Sequence, residues 1–169
     1  MVGKLFSNPT NSQAISMNEI DQKIVDYLLK DARTPHAQIA DEIGLSRPAV
    51  TERVKKLEQT GVIKGYTAIV DPLAVGQSIT AFISARYAGI VNKEADKALR
   101  DLAKRSEILE IHTVAGEDCF LFKVRAADID QLNEIVNLLK KAPLEMTTKT
   151  TIVLQTYFEK IGGTLLRSG

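Results

Sequence analysis

Apolar positions recur at helical spacing in the first half of the chain and alternate singly in much of the second. After Asn18, Ile20, Ile24 and Leu28 fall every four residues, with Val25 and Tyr27 widening the stripe, which predicts a helix with Asn18 as its N-cap. Thr34-Pro35 supplies a cap and a first-turn proline for a second helix. Its Ile39, Ala40 and Ile43 face inward, Gly44 ends it and Leu45 makes the turn. Ser46 caps a third helix that tolerates Pro48, because first-turn N–H groups have no helical partner. At about 100° per residue, Val50, Val54 and Leu57 lie within about 60° of one another and form its core face. Gly61 closes that helix. Val62-Ile63 and Tyr66 to Val70 then predict two short strands of a wing, and Asp71-Pro72 breaks the pattern.

From Ser78 the period changes to two. Ile79, Ala81, Ile83, Ala85 and Tyr87 alternate with Ser78, Thr80, Ser84 and Arg86, and Phe82 breaks the polar face where contact with another subunit would use it. A helix follows from Lys93 to Arg105, with Ala95, Ala98, Leu99 and Leu102 at helical spacing. Leu109 to Ala115 and Phe120 to Arg125 read as strands joined at Gly116-Glu117-Asp118. Asp128 caps a further helix striped by Ile129, Leu132, Val136 and Leu139; Pro143 stops it, and Thr147 to Phe158 is a final strand.

The predicted class is therefore α+β: an N-terminal winged helix-turn-helix over 17–71, a linker over 72–77, and a ferredoxin-like βαββαβ domain over 78–160. Residues 1–16 are expected to be an extension, with Met17 an alternative natural start, and 161–169 a tail. A four-stranded sheet with both helices on one face leaves the other face to be covered. In a domain of about 90 residues a second copy is the simplest cover, so a symmetric dimer is expected.

Charge changes the picture only locally. The whole chain carries 22 basic and 21 acidic residues, a net of +1, so nothing global announces nucleic acid. From Gly44 to Tyr66, however, five basic residues (Arg47, Arg53, Lys55, Lys56, Lys64) face two acidic ones (Glu52, Glu58), a net of +3 on and beside the third helix. Pro48, Glu52, Lys55, Lys56 and Gln59 lie opposite its core face, with Thr51 at the shoulder. Behind the Ser46 cap, Arg47, Thr51 and Glu52 are expected to meet base edges in a DNA major groove, while Lys55, Lys56 and Lys64 hold phosphates. Arg53 lies nearer the core side and is expected to snorkel to a phosphate or to a neighbouring carboxylate. One cysteine, Cys119, excludes an internal disulfide, and no run of 18 apolar residues appears, so a soluble cytoplasmic protein with no membrane contact is expected.

Three stretches, IDQKIVDYLLKDART, IADEIGLSRPAVTERVKKLEQTGVIKGYTAIVDPLAVG and VAGEDCFLFKV, resemble the leucine-responsive and asparagine-operon regulators, the Lrp/AsnC or feast/famine family. The resemblance spans roughly Met17 to Phe158. It implies a transcription factor that dimerises through its C-terminal domain, commonly assembles into octamers, and binds a small effector, usually an amino acid, between dimers. By position the effector residues are Val114, Ala115, Gly116, Glu117 and Asp118, with Thr148 and Thr150 on the last strand. The chain departs from the family pattern at Ala115, where a threonine is common, and at Cys119, where an aspartate is common; Glu117 and Asp118 remain to meet an effector's amino group. The alternative is an effector-independent architectural DNA-binding protein.

Catalysis finds little support. His36 and His112 fall in different predicted domains, which does not suit a metal centre, and no metal or cofactor is expected apart from the amino-acid effector. Cys119 with His112 would be a nucleophilic pair only if an apolar strand and a sheet edge brought them together. Neither GxxxxGK[ST] nor GxGxxG after a strand is present. His112 reads as a half-exposed sheet residue, with pH sensing as its functional alternative.

Overall fold

A computed structural model describes residues 17–87 and 92–159; the expected extension over 1–16 and tail over 161–169 lie outside the described residues. The chain divides into two compact units at the junction of Ile69 and Val70.

The first unit is built on α1 (Glu19–Lys30), α2 (His36–Ile43) and α3 (Arg47–Gln59). Asn18 caps α1 by accepting the Asp21 N–H, and Ser46 caps α3 by accepting the Ala49 N–H. Thr34 does not cap α2. Its hydroxyl donates to the Asp31 carbonyl at 2.7 Å, and Pro35 occupies the cap position with no side-chain bond. Gly44 turns the chain at φ 70°, a left-handed conformation that a side chain would strain. Ile24, Ile39, Ala40, Val50, Val54 and Leu57 pack into one core, and burying each large aliphatic member contributes about 1.5–3 kcal/mol.

The two expected wing strands are not strands. Residues 62–70 carry no ladder hydrogen bonds, and Tyr66, Ile69 and Val70 are at least half exposed. A two-residue first strand offers too few bonds to hold a hairpin, so the segment is instead fixed at single points. The Ile63 N–H donates to the Leu57 carbonyl at 3.1 Å, and the Tyr66 hydroxyl donates to Glu58 at 2.9 Å. Partial burial, then the Glu58 carboxylate, push the Tyr66 phenol up to about 12 and keep that donor protonated.

The second unit runs β1 (Ile79–Arg86), α4 (Lys93–Leu102), β2 (Ile108–Thr113), β3 (Phe120–Ala126), α5 (Ile129–Lys140) and β4 (Thr147–Ile152). All pairings are antiparallel, in the spatial order β2-β3-β1-β4. The alternation in β1 holds: Ala81, Ile83 and Ala85 are fully buried and Phe82 and Arg86 exposed. Their face packs with Phe122 and Val124 of β3, Ala95 and Leu102 of α4, and Leu132, Ile135, Val136 and Leu139 of α5. Two expectations shift. Ile129 is half exposed, because the first turn of α5 overhangs the core, and Ile135 takes the inward place. The last strand ends at Ile152, not Phe158: Ile152 pairs with Ala81 and the Val153 N–H reaches the Thr80 carbonyl at 2.8 Å, after which β1, which begins at Ile79, offers little to pair with. Leu154, Tyr157 and Phe158 are exposed.

The opposite face of the sheet carries Phe82, Ser84, Leu121, Lys123, Glu110 and His112. His112 Nε2 lies 2.9 Å from Glu110 Oε2, and Lys123 Nζ 3.6 Å from Glu110 Oε1. The His112 hydrogen bond, with the Lys123 charge, holds the Glu110 carboxyl below the usual glutamate range despite partial burial.

Candidate nucleic-acid interface and effector hairpin

Helix α3 is held by its core face and its cap, which leaves the other side free to present side chains. Arg47, Thr51 and Lys55 form one row at four-residue spacing, and Pro48 with Glu52 forms the adjoining row. Arg47, Pro48, Thr51, Glu52 and Lys55 together line a shallow, open depression of about 460 Å³, and Arg47, Thr51, Glu52 and Lys55 are all exposed. Lys56 is exposed outside it, and Lys64 is exposed in the 62–70 segment that Tyr66 pins to α3.

Arg53 stands apart from this set. Its guanidinium donates to Asp21 on α1 at 2.9 Å, with both side chains partly buried, so of the two partners expected for it the carboxylate is the one present. Ser46 likewise has its hydroxyl turned to its own helix, 3.4 Å from the Ala49 nitrogen. Among the described residues, Arg47, Lys55, Lys56 and Lys64 form no ion pair with any carboxylate. The first turn of α3 also contains no acidic residue, so the positive end of its dipole adds to the side-chain charge. Such a surface attracts phosphates.

The second cluster gathers at one end of the sheet. Val114 to Cys119 link β2 to β3, closed by the Val114 N–H donating to the Cys119 carbonyl at 3.0 Å. Gly116 takes φ 143°, a conformation that favours glycine. Ala115, Gly116 and Glu117 are exposed, Val114 and Asp118 half-buried. The Cys119 N–H donates to the Ala85 carbonyl at 3.0 Å, and Ala85 pairs with Phe120 on one side and with Thr148 on the other. Thr148 is thus two strand spacings, about 10 Å, from the base of the hairpin. Thr150, paired with Ile83, lies one pleat further along and is exposed.

One residue that holds this hairpin has no local sequence signal. Arg86 donates from Nε to the Glu117 carbonyl at 2.8 Å, fixing the loop to β1. Alternation along β1 marks Arg86 only as a solvent-facing strand residue, and its partner is 31 residues away.

Comparison with known proteins matches a family model to each part of the chain. Residues 17–64 match the winged helix-turn-helix DNA-binding model, and residues 80–162 match the Lrp/AsnC ligand-binding domain. The HTH-type transcriptional regulator FL11 of Pyrococcus horikoshii is 36% identical over 146 residues, covering 86% of this chain and 94% of that protein. The leucine response regulatory protein LrpA of Mycobacterium tuberculosis has a similar structure, with a TM-score of 0.76 at 30% identity over 85% of this chain and 97% of that one. The feast or famine regulatory protein of the same organism, complexed with L-methionine, gives a TM-score of 0.78 at 29% identity, covering 89% of this chain and all of that one. The chain belongs to the Lrp/AsnC family of transcriptional regulators, non-enzymatic proteins with a DNA-binding and a ligand-binding domain.

Proposed function

We propose that the protein is a sequence-specific regulator acting on cytoplasmic DNA, whose assembly and operator affinity respond to an amino acid bound between dimers. The observation that carries the DNA reading is the unpaired row on α3. Arg47 and Lys55 sit in line with Thr51, next to Glu52, on a helix whose opposite side is fully committed to the core. Arg47 suits the O6 and N7 acceptors of guanine, and Glu52 the amino group of cytosine. Lys55, Lys56 and Lys64 take phosphates; Arg53, engaged by Asp21, positions α3 instead. Two copies of α3 presented about 34 Å apart by a dimer read a near-palindromic site, and an octamer of four such dimers bends or wraps DNA.

The effector reading rests on the Val114–Asp118 hairpin, with Thr148 and Thr150 on the last strand of the same sheet, and on the L-methionine held by the related regulator. Gly116 opens the loop, Arg86 fixes it, and Asp118 with Glu117 supplies carboxylates for an amino group. A ligand shared between dimers has different affinities for different assemblies, so linkage converts its binding into a change in operator affinity.

The test is a thermal-shift titration with the twenty amino acids, followed by gel filtration and operator binding with any ligand that responds. At least one amino acid should raise Tm and change both oligomer distribution and operator affinity. Silence from all twenty would leave the effector-independent architectural protein standing in place of the sensor.

A further inference from the structure

His36 opens α2, fifteen residues before Thr51, and is half-buried between the two helices of the helix-turn-helix. Its Nδ1 lies 3.0 Å from the Thr51 hydroxyl oxygen, and the same oxygen lies 3.0 Å from the Arg47 carbonyl, to which it donates. A hydroxyl has one proton. If that proton went to the imidazole, two acceptor oxygens would face each other at 3.0 Å. Both short distances are satisfied together only when Thr51 donates to Arg47 and His36 donates from Nδ1–H to Thr51.

This chain of bonds joins α2 to the N-terminal turn of α3, where the exposed depression begins. It also fixes what Thr51 can offer. With its proton and one of its two lone pairs engaged within the protein, the Thr51 hydroxyl has no donor left for a base edge, and the side chain offers its γ methyl. In the major groove a methyl recognises the C5-methyl of thymine by contact.

We infer that His36 is a specificity-determining positioning residue: through the Thr51 hydroxyl it holds the Thr51 methyl toward the major groove, where it selects thymine at one operator position. The inference rests on the DNA reading of α3 proposed above. His36 itself touches no base in this scheme, which separates it from a phosphate contact at the start of α2.

The experiment is selection from a randomised DNA library with the full-length protein, repeated for His36→Ala, His36→Asn, Thr51→Ala and the double variant His36→Ala/Thr51→Ala. Tm is measured alongside. His36→Ala and Thr51→Ala should each relax thymine preference about tenfold at the same position and nowhere else, the scale of one base contact. The double variant should relax it no further than either single one, because both remove the same contact. Asparagine, whose side-chain N–H stands where histidine Nδ1–H does, should restore much of the preference. An unchanged preference in His36→Ala, or a uniform loss on all sequences with a salt slope lower by about one, overturns the inference while leaving the DNA reading intact. Failure of the unmodified protein to enrich any sequence overturns both.

Discussion

Helices α3 and α4 carry four and three cations and balance them differently: acids on α4 bring its sum to zero, although Lys93 and Lys97 form no described ion pair, whereas α3 sums to +2. In α4, Glu94 and Asp96 occupy the first turn, where a helix dipole favours negative charge, and Asp96 pairs with Arg100 one turn later at 2.8 Å. Lys104, just past the end of α4, pairs with Asp101. These pairs hold the Arg100 guanidinium above and the Asp101 carboxyl below their usual ranges, each chiefly through its hydrogen bond to the partner. Both helices begin with a cation at the end where one is least favoured, but Lys93 of α4 has Glu94 and Asp96 in the same turn, whereas Arg47 of α3 has no acid there. Lys55 and Lys56 have no described ion-pair partner, although Glu52 is three and four residues away. One helix neutralises itself; the other keeps its charge exposed at some cost to its own stability. A local rule broken on one surface and kept on another marks where an external partner supplies the missing anion.

The largest expected effect comes from removing the cation that breaks the rule most clearly. Arg47→Ala should weaken operator binding by about 1–3 kcal/mol, roughly fivefold to 150-fold, and relax selectivity at one base position. Titration of the variant against an operator and a scrambled duplex checks this. Equal loss on both duplexes would demote Arg47 to a phosphate contact.

Arg53 tests the comparison from inside α3. Because it is paired with half-buried Asp21, Arg53→Ala should lower folding stability by about 1 kcal/mol in denaturant titration and leave the salt dependence of DNA binding unchanged. A fall in salt slope would mean that Arg53 leaves Asp21 for a phosphate when DNA arrives. Lys55→Ala should do the reverse, changing stability by less than about 0.5 kcal/mol and lowering the salt slope by about one, equally on all sequences.

The contrast between Arg53 and Lys55 also shows how far the sequence can be read. Periodicity separated the two residues around the helix, and alternation and caps located the elements from α1 to β3, because these signals act over a few residues. Partners far along the chain left no such trace. Asp21 is 32 residues from Arg53, Thr51 is 15 from His36, and Glu117 is 31 from Arg86. Strand composition misled for a related reason. The segment from Tyr66 to Val70 and the stretch after Ile152 both have β-favouring residues, but a strand needs a neighbour with free hydrogen-bonding groups, and none of the described residues provides one to either segment. For the candidate sites, the basic row on α3 was legible from spacing. The hairpin at Gly116-Glu117-Asp118 was legible from turn residues between two apolar strands, its effector role only from family resemblance, and its bond to Arg86 emerged only with the fold.

The smallest expected effect is the sharpest control. Arg100 on α4 is as exposed as a DNA-binding cation should be, with 57% of its side chain open to solvent, yet Asp96 already occupies it. An exposed pair of this kind contributes little to folding, so Arg100→Ala should leave the denaturation midpoint essentially unchanged. If pairing is what excludes a cation from the DNA footprint, operator affinity and salt slope should also match those of the unmodified protein. Measuring both from low to physiological salt is essential, since screening would hide a weak contribution at high salt alone. A salt slope lowered by about one, as expected for Lys55→Ala, would show that intrahelical pairing does not decide which cations meet DNA. The distinction between α3 and α4 would then have to rest on position in the fold rather than on charge.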